Sequence, residues 1–328
     1  MLLCTYEQEA VVQQAIDSVF AQTYSPLEII ISDDASCDHT YSIIEAAVQK
    51  YKGQHHITFR RNSKNIGISA HFSTVAKLCK GELLFVCAGD DFSHPKRCEQ
   101  VVEHWLSHNR RPDLIATDLI DIDENNRQLG VLSHTSLDEI NLTTWLDKQP
   151  WLVGASHTWT RRLFEVFGPI EQGSNSEDQI MLLRALLLGG ATTLKVPLVS
   201  WRRGGLSRKR RHPTLKAMLE HQRKGNLSTR AELKQILADA KLAGQFDRVR
   251  MGLQSRIDRE DFLMRMLDAT THKERFFLTL SCKTVPISYR MRIFGYTNFP
   301  WLYDPIIRLK YIAKLTSSKD AAGRPAEN

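Results

Sequence analysis

The chain has 328 residues, 42% apolar and 25% charged, a globular composition that excludes a fibrous or wholly disordered protein. No apolar stretch approaches the roughly 20 residues that span a bilayer, and residues 1–7 lack the basic flank of a secretory signal. The net charge of +7 is uneven: residues 1–200 carry −8 and residues 201–328 carry +15. An acidic front suits metal or acid–base chemistry, and a basic back suits anionic partners. Six cysteines at irregular spacing (Cys4, Cys37, Cys79, Cys87, Cys98, Cys282) give neither a zinc pattern nor a disulfide framework. The expectation is a cytoplasmic protein.

Short apolar runs alternate with helix-period segments in the front half. Residues 2–5 form a clipped strand, short for a central position, which predicts that a few residues are missing ahead of it. A helix follows over 9–22, striped by Val11, Val12, Ala15, Ile16, Val19 and Phe20. Pro26 ends it, and residues 27–32 read as a buried strand. Then come a helix around Ile43–Tyr51 positions, a strand at 57–59, a helix at 70–79 and a strand at 83–87. This alternation predicts βαβ units and a mostly parallel sheet covered on both faces. Farther on, 113–118 reads as a strand, 151–160 as strand or loop, 177–188 as a helix and 191–199 as extended chain. Glycines and cations at 204–211 mark a boundary. Two or three amphipathic helices are expected over 214–270, and a disordered tail over the last ten residues.

In an open parallel sheet, ligands bind beyond the carboxyl ends of the strands. Three such ends carry polar residues: Thr5-Tyr6-Glu7, Asp33-Asp34 through Asp38, and Gly89-Asp90-Asp91. A single aspartate after a strand is ordinarily a helix cap, and Asp33 and Asp38 read best as turn and cap residues. Paired aspartates at two ends repel and call for a cation, donors or solvent. A hard divalent ion with a diphosphate would supply the cation. No G-x-G-x-x-G or G-x-x-x-x-G-K-[ST] loop is present, so dinucleotide oxidoreductases and P-loop NTPases are disfavoured. Phosphate must then meet a metal on Asp90-Asp91, or cations such as Arg202, Arg203, Arg208 and Lys209.

The ordered set of these motifs resembles family 2 glycosyltransferases. It runs from Thr5-Tyr6-Glu7 and Gln22-Thr23-Tyr24 through Asp33-Asp34-Ala35-Ser36-Cys37-Asp38-His39-Thr40 and Asn65-Ile66-Gly67. It continues with Gly89-Asp90-Asp91, Ser176-Glu177-Asp178 and Trp201-Arg202-Arg203, covering residues 1 to about 207. The resemblance implies a GT-A nucleotide-sugar-binding α/β fold over 1–207, followed by a basic helical region over 208–318 and a tail over 319–328. It implies inverting hexosyl-type transfer from a nucleotide-diphosphate sugar, UDP first, to an acceptor hydroxyl on a cell-surface polysaccharide or glycolipid.

By the same resemblance, Thr5, Tyr6 and Glu7 line the nucleotide base and Asp34 accepts from a base N–H. Asp90 faces the ribose or donor sugar, and Asp91 ligates manganese or magnesium. Asp178 is the base, and Glu177 lies near the acceptor. From residue type alone, Arg202 and Arg203 are candidate donor-phosphate cations. Trp151, Trp159 and Trp201 could stack on an acceptor sugar, with Trp159 the candidate taken, although aromatics at a sheet edge are more often packing. Three positions depart from the pattern: Gly89 at the first place of D-x-D, Glu7 in place of asparagine, and no histidine after Trp201-Arg202-Arg203. The expected partners are a nucleotide sugar, a glycan or lipid-linked acceptor and, through residues 299–315, an anionic membrane on the inner face of the plasma membrane. Nucleic acid is not expected, because the basic stretch lacks interleaved aromatics. The competing class is an inactive nucleotide-sugar-binding or membrane-assembly protein of the same fold.

Overall fold

A computed structural model describes residues 1–203 and 212–322, with side chains described to residue 313. The cationic stretch around Arg208 and Lys209, and the tail beyond 322, lie outside the described residues. The chain divides at 207/208, 230/231 and 249/250 into two compact units. Residues 231–249, beyond the boundary expected at 207, belong to the first unit with the front of the chain.

The first unit opens with β1 (Leu2–Thr5), α1 (Val12–Phe20), β2 (Glu28–Asp33), α2 (Thr40–Lys50), β3 (His56–Arg61), α3 (Ile68–Ala76) and β4 (Leu83–Ala88). It continues with β5 (Phe92–Ser93), α4 (Arg97–Ser107), β6 (Leu114–Ile122), β7 (Gln128–Leu132) and α5 (Leu142–Asp147). A 3-10 turn, Gly154–Ser156, leads to β8 (His157–Thr160), α6 (Arg162–Phe167), α7 (Glu177–Leu187) and β9 (Ala191–Arg202). Helices α8 (Leu215–Leu242), α9 (Phe246–Asp268), α10 (His272–Ser281), α11 (Ile287–Asn298) and α12 (Pro300–Ala322) complete the chain.

The sheet runs β3-β2-β1-β4-β8-β6-β9-β5, with β7 on the outer side of β6. Strands β3, β2, β1 and β4 are parallel, which is why Leu2, Leu3 and Ile29 to Ile31 are continuously apolar and fully buried between covering layers. Strand β8 enters antiparallel to both β4 and β6, and β6 pairs parallel with β9. The chain steps outward from β1 to β3, then returns to place β4 on the other flank of β1. That reversal opens a crevice at the carboxyl ends of β1 and β4. Register sets Thr5 beside Asp33, and Cys4 beside Ala88 just ahead of Gly89.

Helix α7 is fixed from behind. The Arg184 guanidinium, fully buried, donates to Asp239 Oδ2 at 2.7 Å and Oδ1 at 3.2 Å, and to the Gly168 carbonyl at 2.9 Å. Removing one partner leaves an unmatched charge in the interior, so Asp239→Asn is expected to destabilise the fold by about 3–5 kcal/mol in urea titration. Asp261→Asn, which breaks an exposed pair with Arg230, should cost less than about 1 kcal/mol in the same measurement. Among the described residues, no helix is long and apolar enough to cross a membrane.

Candidate active site

The loop after β1 is laced to the loop after β2. Three consecutive amides donate across: Glu7 N to Ser36 Oγ (2.9 Å), Gln8 N to Thr40 Oγ1 (2.7 Å) and Glu9 N to Asp38 Oδ2 (3.1 Å). These bonds hold Glu7 in the left-handed region at φ 51°, a conformation that costs a non-glycine residue energy and needs such support. They also give the S-x-D-x-T spacing a physical reason. Asp33 is internal, accepting from Ser36 N and Oγ and pairing with Arg61, and Asp38 also accepts from Thr40 N.

Thr5 turns inward and is buried, its hydroxyl donating to the Ser32 carbonyl at 3.3 Å. Tyr6 and Glu7 are the exposed pair at this end. Asp34, expected to accept from a base N–H, engages both oxygens with the chain. Asn62 Nδ2 (2.6 Å), Ile66 N (3.1 Å to each oxygen) and Gly67 N (3.0 Å) all donate to it. Asp34 thereby anchors the start of α3, where Gly67 turns at φ 82°. One turn into α3, Ser69 donates to the Ser174 carbonyl at 2.7 Å, just ahead of α7. One short helix therefore ties the loop that carries Asp34 to the loop that carries Glu177 and Asp178.

Gly89 is closely packed. A Cβ there would lie 2.8 Å from Thr5 Cγ2 and overlap Gln8 Oε1, so an acid at the first place of the D-x-D would displace the Gln8 and Thr5 side chains. Asp90 and Asp91 remain. Asp91 accepts from the Arg202 amide at 2.8 Å through Oδ1, and among the described residues Oδ2 takes no hydrogen bond. Burial raises both carboxyls, and the Asp90 charge raises Asp91 further. Two desolvated carboxylates that resist ionisation side by side suit a divalent cation. The protein need supply only one or two such ligands when a diphosphate supplies others. Among the described residues no cluster of three or more His, Cys, Asp or Glu is arranged to hold a metal.

Arg202 corrects an expectation. Its guanidinium is turned into the protein, donating to the Asp90 carbonyl, Gln14 Oε1, Asn126 Oδ1 and the carbonyls of Asp123 and Glu124. It clasps three chain segments and has no donor left over for phosphate. Arg203 forms a forked ion pair with Asp121. Trp159 is a second correction: it is fully buried, edge-on to Phe72 at 6.0 Å, and a core residue. The accessible indole is Trp151, half exposed, its ring 5.4 Å from that of His134.

Glu177 and Asp178 open α7 against the 3-10 turn. A Cβ at Gly154 would sit 3.3 Å from Glu177 Oε1 and 3.7 Å from Asp178 Cβ, so glycine keeps this face of the pair open. Ser176 does not cap the helix with its side chain. Its amide instead donates to Ser174 Oγ at 3.2 Å, and the Asp178 carboxylate accepts from the Gln179 amide at 2.7 Å. Burial pushes Asp178 up to about 6. Burial first, then the Asp178 charge, pushes Glu177 up to about 8. Near neutrality the pair holds one proton, chiefly on Glu177.

Sequence reading missed Arg97. Fully buried, it donates to the Val86 carbonyl and Ser93 Oγ on one side and to the Ala155 and His157 carbonyls on the other. It thus spans from the strand that leads into Asp90-Asp91 to the turn that faces Glu177 and Asp178. The signal lay only in a cation two residues after Pro95, indistinguishable in sequence from a surface lysine.

With this geometry in place, likeness to known proteins acquires meaning. A family model, Glycosyl transferase family 2, matches residues 1–166. The chain belongs to glycosyl transferase family 2. Within the family it is 36% identical over 106 residues to uncharacterized protein Rv1520 of Mycobacterium tuberculosis, 32% of this chain and 30% of that one. It is 27% identical over 124 residues to the putative glycosyltransferase EpsE of Bacillus subtilis, covering 38% and 44%. The chain therefore spans less than half the length of these relatives. The crystal structure of S. aureus TarS 1-349 in complex with UDP-GlcNAc superposes with a TM-score of 0.54 at 16% identity, over 95% of this chain and 91% of that one. The family 2 assignment accounts for the ordered motifs up to residue 166, and the TarS likeness for the GT-A fold.

Proposed function

We propose that this family 2 protein transfers a sugar, with inversion, from a nucleotide-diphosphate donor to an acceptor hydroxyl. The observation that carries the reading is the Glu177–Asp178 pair at the start of α7, facing Gly154 of the 3-10 turn, in a chain of this family. Burial pushes both carboxyls up, Glu177 the further. Asp178 takes the acceptor proton as the hydroxyl oxygen attacks the anomeric carbon, and the bond to the diphosphate breaks on the opposite face. The N-terminal end of α7 favours the carboxylate form of the base. Neutral Glu177 can donate a hydrogen bond to the acceptor. Tyr6 and Glu7 flank the nucleotide base, with Thr5 and Asp34 shaping the loops beneath them.

Asp91, with Asp90, would hold a manganese or magnesium ion, whose chemistry is to neutralise the leaving diphosphate. A UDP-sugar is the first donor to try, because the TarS structure of the same fold holds UDP-GlcNAc. The acceptor is a glycan or lipid-linked saccharide of a cell-surface polymer. Incubation with a panel of nucleotide sugars and manganese should release nucleotide diphosphate from one of them. Calorimetric binding of UDP without release from any donor would overturn the reading in favour of a binding protein.

Trp151 offers the stacking face for the acceptor ring. Trp151→Ala is expected to raise the acceptor KM about tenfold, with kcat within about twofold, as measured by initial rates.

A further inference from the structure

The second unit carries an apolar surface that the reaction does not use. On α10, Phe276 and Phe277 are 55% and 68% exposed, with Leu280 one turn on. On α12, Trp301 and Leu309 are 73% and 67% exposed, and Ile306 lies between them on the helix. The two patches are joined. Phe276 meets Phe294 of α11 with ring centroids 6.2 Å apart, and Phe294 meets Phe299 at 6.0 Å. An aromatic row thus runs from α10 to the start of α12. Monomeric soluble proteins seldom leave so many large apolar side chains together in water.

Charge identifies the occupant. Residues 269–313 contain seven Lys and Arg against two acids. Both acids are engaged within the chain: Glu274 accepts from Thr270 N, and Asp304 from Leu215 N and Arg308. Lys273, Lys283 and Arg292 are exposed beside the apolar row. Aromatic and branched side chains bordered by cations match a bilayer interface, where the rings enter the headgroup boundary and the cations meet anionic lipid. No described helix is suited to crossing, so the geometry is that of a surface lying on the membrane.

We propose that the α10–α12 face docks the protein on an anionic lipid bilayer. The inference deepens the glycosyltransferase reading, and rests on it only in giving a lipid-linked acceptor its meeting place; the docking itself can be scored without turnover.

The test is flotation of the full chain with phosphatidylcholine vesicles, with and without 30% phosphatidylglycerol (roughly the anionic content that gives a strong surface potential). The expected result is binding to the anionic vesicles only, weakened at least about tenfold by 1 M salt. The double variant Phe277→Ser with Trp301→Ser should bind at least about tenfold less. It should melt at the wild-type temperature, since both side chains are already solvent-exposed. Nucleotide release from a soluble acceptor reaction should be unchanged in that variant. Wild-type chain that never floats, or a variant that floats equally well, overturns the proposal. So does a lipid-free wild-type dimer that the double substitution converts to monomer, which would make the face a self-association surface. Flotation with no turnover on any donor would leave docking standing and remove the catalytic reading alone.

Discussion

Asp178→Asn is expected to lower kcat at least about a thousandfold while donor affinity, measured calorimetrically, stays within about threefold. The base meets the acceptor proton and not the nucleotide, so the loss belongs in kcat. The accompanying pH profile is specific. A base pushed up to about 6 is ionised only above that value, so kcat should fall as pH drops through about 6, two units above an ordinary aspartate. Glu177→Gln should keep this acid limb, since Glu177 acts in its protonated form. A large loss in Glu177→Gln, with a limb near 8 and a mild Asp178→Asn, would reverse the roles.

The same pair has a stability signature. Glu177 sits above its unfolded value, so as pH rises past about 4.5 the unfolded chain loses this proton while the folded chain keeps it, and the resulting penalty grows until the folded group ionises near 8. Glu177→Gln is free of that penalty. Its melting temperature should therefore exceed the wild type's by several degrees at pH 9, with the gap closing by pH 4.

EDTA should remove turnover from the wild-type chain, and Asp91→Asn should match that loss, about a thousandfold or more. The fold should survive the substitution, because the Arg202 amide donates to Asp91 Oδ1 and asparagine retains that acceptor. Circular dichroism and melting temperature check the fold, and nucleotide release checks the chemistry. Full activity in EDTA would remove the metal from the account.

The front of the fold was legible because parallel strands buried on both faces declare themselves as unbroken apolar runs, as in Ile29-Ile30-Ile31. Polar loops at their carboxyl ends marked the crevice. Side-chain direction was not legible. Arg202 and Trp159 carry the chemistry of phosphate and sugar contacts, yet Arg202 closes a clasp with three segments and Trp159 fills the core beneath α3. Sequence separation hid the partners: Gln14 lies 188 residues from Arg202. Arg97 escaped for the same reason, since its carbonyl partners at Ala155 and His157 leave no residue-type signal. The short strands β5 and β7 and the helices α5 and α6 are too brief for periodicity to reveal. The return of residues 231–249 to the first unit depends on Arg184 finding Asp239, which spacing alone does not foretell.

The crosswise lacing of the first loop sets how this chain can respond to nucleotide. A glycine-rich phosphate loop leaves its amides facing outward, available to the ligand and labile in its absence. Here the amides of Glu7, Gln8 and Glu9 are already committed to Ser36, Thr40 and Asp38. Deuterium should therefore enter those three positions slowly in the empty protein, and at nearly the same rate once a nucleotide sugar is added. Recognition then rests on side chains above a floor that is finished before the donor arrives.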